Sequence, residues 1–65
     1  MSTKDEILKR LEELLESEEE AAKSNSEIAE GLVNEKLKSF FEKMQKEEES
    51  HAKSVKELIE ILISS

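Results

Sequence analysis

The stretch "LKSFFEKMQKEEESHAKSVKELIEIL", residues 37–62, decides how the chain folds. Leu37, Phe41, Met44, Glu48, His51, Val55, Leu58 and Leu62 recur at alternating spacings of four and three. That is the repeat of a helix that turns one stripe toward a partner. Six of the eight positions are suited to a seam, and two are not. Glu48 and His51 stand where apolar residues are expected, three apart and therefore on one face. His51 is the only histidine in the chain.

Upstream of this stretch the sequence marks a turn and then a second helix. Gly31 is the only glycine, and the expectation is that it takes the left-handed position that ends a helix. Asn34 is a good N-cap, with Glu35 in the next turn where the helix dipole favours an acid. Nearer the N-terminus, Thr3 and Glu6 form a capping-box pair. Leu8, Leu11, Leu15, Ala22, Ala29 and Leu32 then mark one buried stripe. Within it "KSNSE", residues 23–27, is a weak point, because Ser and Asn compete locally for backbone hydrogen bonds. The expected organisation is a single all-α domain over 1–65: helix 1 over about 4–30, a turn at 31–34 and helix 2 over about 35–63, forming an antiparallel two-helix hairpin. Two helices alone cannot enclose their stripes, so the hairpin is expected to dimerise into a four-helix bundle.

Composition narrows the functional classes. The 65 residues contain no cysteine, which removes disulfides and thiolate metal sites as sources of stability. A core this small rarely supplies more than ~3–5 kcal/mol, leaving an oxygen/nitrogen metal site or self-association to add the rest. The net charge is −7, from 17 acids against 10 bases, with no basic stripe to neutralise phosphates. Such a charge attracts small cations. The longest apolar stretch, residues 58–63, is interrupted by Glu60 and is far too short to cross a bilayer, and the N-terminus has no apolar segment of the signal-peptide kind. No nucleophile–base pair and no phosphate cradle is visible.

The stripe of helix 1 has its own defect, since Glu18 falls between Leu15 and Ala22. Residues facing each other across the hairpin have numbers summing to about 65 or 66, and Glu18 and Glu48 sum to 66. The expectation is that Glu18, Glu48 and His51 converge on one buried layer. Burying these charges costs several kcal/mol each unless a counter-ion is present. A two-fold pair of hairpins would assemble four carboxylates and two imidazoles, a balance for two divalent ions, and this donor set suits iron or manganese. Other readings of the same residues stay open. They could be a polar seam layer setting register in a non-enzymatic helical-hairpin oligomerisation module, or the centre of another di-metal carboxylate bundle. Glu19, Glu20, Glu47 and Glu49 flank the layer as cation-attracting or solvated acids.

Residues 34–62, with "EEESHA" at 47–52, resemble the second helix of the encapsulated ferritins, the two-helix members of the ferritin-like group. "LLESEEEAAK", residues 14–23, similarly resembles their first helix, with Glu18 at the helix-1 ligand position and Ser17 where a carboxylate would be expected. The resemblance implies a ferritin-like four-helix dimer, further assembled as a ring of dimers. It implies a di-iron ferroxidase centre across the dimer interface, with Glu48 bridging and Glu18 and His51 terminal, all three as metal ligands and catalytic residues. It also implies iron storage as cargo of an encapsulin shell protein, and so a cytoplasmic location inside an encapsulin nanocompartment. Ferrous iron and dioxygen would be the substrates.

Overall fold

A computed structural model of the chain describes residues 3–65. Two helices, α1 (Lys4–Gly31) and α2 (Glu35–Ser64), pack antiparallel into a hairpin about 48 Å long and 15 Å by 14 Å across. Helix formation follows from the abundance of Glu, Lys, Leu and Ala and the absence of proline. Both starts are capped as the sequence predicts. The Thr3 hydroxyl accepts from the Glu6 amide at 3.2 Å, and the Asn34 side chain accepts from the amides of Lys36 and Leu37 at 3.0 and 3.1 Å. At the open end, the Lys4 ammonium donates to the Ser65 carbonyl at 3.1 Å.

The end of α1 differs from expectation. Gly31 does not take a left-handed conformation; no residue among those described has positive φ. Helical hydrogen bonding carries through Gly31, and the chain leaves the helix at Leu32 with extended backbone (φ −93°, ψ 134°), its amide donating to the Ala29 carbonyl. A tight extended exit into the Asn34 cap removes the need for the glycine's special freedom. The segment 23–27 does not break the helix. Asn25, within it, is buried in the seam.

The core is thin, and its placement corrects the repeat read from α2. Ala22 and Ala29 of α1 and Ala52 and Val55 of α2 are the buried apolar residues, and no large side chain is fully enclosed. The stripe of α1 faces α2 as expected, with Leu8, Leu11 and Leu15 partly buried. On α2, Phe41, Glu48, Val55 and Leu62 lie in the seam, but the residues beside them are Gln45, Ala52 and Ile59. Leu37, His51 and Leu58, read from sequence as seam positions, are exposed. The cause is the alanines. Ala22, Ala29 and Ala52 let the two backbones close on their side, which rolls the other flank of each apolar stripe outward.

That roll leaves one face apolar. On α1, Ile7, Leu14, Ala21 and Ile28 repeat every seven residues, and on α2, Leu37, Met44, His51 and Leu58 do the same. Residues on either side of the seam rows lie about 50° away at 100° per residue. Because the helices run in opposite directions, these two rows fall on the same side of the hairpin. Ile7, Leu14, Ile28, Leu37 and Leu58 each keep roughly 40–50% of their surface exposed there. The accessible surface, 5223 Å², is about 1,000 Å² above the ~4,200 Å² expected for a compact monomer of this mass.

Candidate metal centre

Glu18 reaches the seam from α1 one turn after Leu15, and Glu48 meets it from α2 at the same height. His51 projects from the next turn of α2. The three offer ligand atoms, two carboxylate oxygens and an imidazole nitrogen, that all lie within 4.8 Å of one another. His51 Nδ1 stands 3.4 Å from Glu18 Oε2. That is a close contact, longer than the ~2.7–2.9 Å of a charge-assisted hydrogen bond, and an ion pair only when the imidazole is protonated. Sequence counting across the turn therefore predicts which side chains meet. The expectation of a buried layer is corrected: the Glu18 side chain is 19% exposed, but that of His51 is 61% exposed, since His51 lies on the outward-rolled row.

The cluster holds more negative charge than the chain itself neutralises. Glu18 Oε2 is buried and accepts no hydrogen bond, which is costly for a carboxylate oxygen. Glu48 is held above the ordinary carboxylate range. The largest cause is a hydrogen bond in which a proton on Glu48 is shared with Glu18, followed by partial desolvation and repulsion from the Glu18 and Glu47 charges, with His51 acting in the opposite sense. Two facing carboxylates, one resisting ionisation and the other with a buried oxygen that accepts no hydrogen bond while both are ionised, make a site short of positive charge.

The donor set fits a divalent cation. Two carboxylates and an imidazole, with no thiolate, suit iron, manganese or zinc. Ligand atoms about 2.1 Å from one ion stand no more than about 4.2 Å apart, so the observed spacing closes with small side-chain rotations. Three protein donors would leave further coordination positions of a bound ion to solvent or substrate.

Other features do not compete. The opposite side of the hairpin carries a shallow groove of about 570 Å³ lined in part by Glu19, Glu27, Glu49, Lys23, Lys53 and Lys56. Its charges balance, and Lys56 pairs with Glu19 across it at 3.7 Å. Asn25 is a further seam polar residue, buried, that the sequence reading did not single out. The signal for it is its position on the row Leu11, Glu18, Asn25, Leu32 at a strict spacing of seven.

No family model matches the chain, and neither does any curated protein or solved structure. No helix among the described residues is long and apolar enough to cross a membrane.

Proposed function

We propose that the hairpin is half of a ferroxidase: two copies form a ferritin-like four-helix bundle, and Glu18, Glu48 and His51 from each bind ferrous ions for oxidation by dioxygen. The observation that carries this reading is the three-donor cluster from two helices, within 4.8 Å, around a buried Glu18 oxygen that accepts no hydrogen bond while both glutamates are ionised. The apolar face around the cluster supplies the reason for a second copy. Its rows place two residues on either side of the Glu18–Glu48 layer, Ile7 and Leu14 against Ala21 and Ile28, and Leu58 and His51 against Met44 and Leu37. A self-complementary two-fold contact centred on the layer requires that balance.

In such a dimer the carboxylates do the electrostatic work. Glu18 and Glu48 stabilise a triply charged ion more than a doubly charged one, which favours loss of an electron. His51, neutral when it ligates, fixes position without adding charge. Binding takes the ionised form of Glu48, whose pKa is raised, so loading is expected to strengthen as pH rises. Two ferrous ions each give up one electron, and dioxygen takes the pair with two protons and leaves as hydrogen peroxide. The ferric product then passes to storage, and an encapsulin shell and a ring of dimers are the partners that the family resemblance supplies for that step.

The test is aerobic mixing with Fe²⁺, followed by ferric absorbance against a protein-free blank. Wild type is expected to accelerate oxidation, and Glu48→Gln and His51→Ala to lose at least about tenfold, since even groups one step from a metal cost that much. Equal rates in all three proteins would leave the register-setting interaction module as the better account.

A further inference from the structure

His51 has a nitrogen to spare. Its Nδ1 faces Glu18 Oε2 at 3.4 Å, and Nε2, on the other side of the ring, has no carboxylate contact among the described residues. A histidine that ligates a metal almost always donates its remaining ring N–H to a carboxylate, a backbone carbonyl or water. That bond fixes the tautomer and the ring orientation and raises the basicity of the ligating nitrogen. The carbonyls around His51 are engaged in the helical bonding of α2, which leaves a carboxylate or water.

Two acids adjoin Glu48 in sequence, and the helix sends them to opposite flanks. At about 100° per residue, Glu47 stands on the flank that carries His51 and Glu49 on the other. Glu49 lines the shallow groove on the far side of the hairpin, and Glu47 does not. The charge of Glu47, unlike that of Glu49, contributes to raising the pKa of Glu48. Glu47 also lies four residues before His51, a spacing that brings their Cβ atoms to about 5–6 Å. Helical side chains lean toward the N-terminus, so the His51 ring extends over the turn that holds Glu47 and Glu48. Glu48 is already engaged with Glu18. Glu47 is exposed and, among the described residues, has no ion-pair partner.

We propose that Glu47 is a positioning residue of the metal centre, its carboxylate accepting the Nε2–H of His51 when Nδ1 ligates a cation. This rests on the three-donor centre proposed above and adds the group that orients its imidazole. With the proton kept on Nε2, the lone pair of Nδ1 is directed toward Glu18 and Glu48. A side chain that is 61% exposed has little packing to hold it, so a hydrogen bond supplies the orientation instead.

The experiment titrates Zn²⁺, which is redox-silent and suits the donor set, into the full chain freed of metal by chelator. Affinity is read by competition with a chromophoric chelator, the ring by long-range proton–nitrogen NMR, and helicity by circular dichroism. In wild type, Zn²⁺ is expected to leave His51 as the Nε2–H tautomer with a ring proton that exchanges slowly with water. Glu47→Ala is expected to weaken Zn²⁺ binding about 10–100-fold and to make that proton exchange fast. Glu47→Gln, whose amide oxygen still accepts a hydrogen bond, is expected to restore the slow exchange and part of the affinity. Glu49→Ala removes the same charge from the other flank and is expected to cost no more than about fivefold, as an exposed charge does. Equal losses in Glu47→Ala and Glu49→Ala would make Glu47 a source of field alone and overturn the proposal. Wild-type affinity in Glu47→Ala, or His51 bound to Zn²⁺ through Nε2, overturns it as well and leaves the metal centre standing. A wild-type chain that binds no Zn²⁺ overturns the centre itself, and this role with it.

Discussion

Replacing Glu18 with leucine separates a functional cluster from a structural one, because the two accounts predict opposite signs. In the metal-free protein Glu18 is a defect: its Oε2 is buried without a hydrogen bond, and it faces Glu48 across the seam. Removing an unsatisfied buried acceptor recovers about 1–3 kcal/mol. Leucine at a side chain only 19% exposed, between Leu15 and Ala22, adds about 1 kcal/mol of apolar burial beyond the glutamate's own stem. The lost contact with the largely exposed His51 returns at most about 1 kcal/mol. Glu18→Leu is therefore expected to stabilise the metal-free protein by about 2 kcal/mol. For a chain of this size that is roughly 8–16 °C in Tm. The assay is a thermal melt followed by circular dichroism, in chelator, at fixed chain concentration because association shifts Tm. The same melts with excess Mn²⁺ or Co²⁺ are expected to raise the wild-type Tm and leave Glu18→Leu unmoved. If Glu18→Leu melts lower than wild type in chelator, the carboxylate stabilises the fold and the reasoning from its orphaned oxygen is wrong.

Acidity acts on the same cluster through Glu48. Its folded pKa is raised, so the stability it contributes is fully present below its unfolded value and is lost as pH rises through the folded value. Metal-free melts are expected to show that loss across the pH range above 4.5, and Glu48→Gln to remove this component; an unchanged pH profile in Glu48→Gln contradicts the assignment. Val55→Ala removes two carbons at a position 5% exposed and is expected to cost about 1.5 kcal/mol or more, read by urea denaturation; a negligible change would mean the thin alanine-lined seam is not the core. Gly31→Ala is expected to stabilise by up to about 1 kcal/mol, since its backbone is not left-handed and an added Cβ meets nothing within 4 Å. A destabilised Gly31→Ala would place that residue in a conformation other than the helical one described.

The elements, their caps and the meeting of Glu18, Glu48 and His51 were legible because each depends on local chemistry or on counting from a turn. Thr3 and Asn34 cap wherever a helix can start, and Glu18 and Glu48 are level whichever way the helices roll. The roll itself was not legible. Phe41, Glu48, Val55 and Leu62 lie at the middle of the stripe and are flanked symmetrically by two rows, Leu37–Met44–His51–Leu58 and Lys38–Gln45–Ala52–Ile59. Apolarity selects the first row, whereas the intramolecular contact selects the second, because small residues allow the closer approach. Periodicity thus reports every apolar row of a helix, including the one the hairpin leaves exposed, and it cannot divide them. Gly31 misled for a related reason: composition marks a residue that can adopt positive φ, not a turn that requires it.

The account is tested most directly by counting ions on the intact assembly. Native mass spectrometry after anaerobic loading with Fe²⁺ and removal of excess is expected to show a dimer unit carrying two iron ions, and a Glu18→Leu dimer carrying none. A wild-type protein that retains no iron, or retains the same number after Glu18→Leu, contradicts the claim that these three side chains form a metal centre.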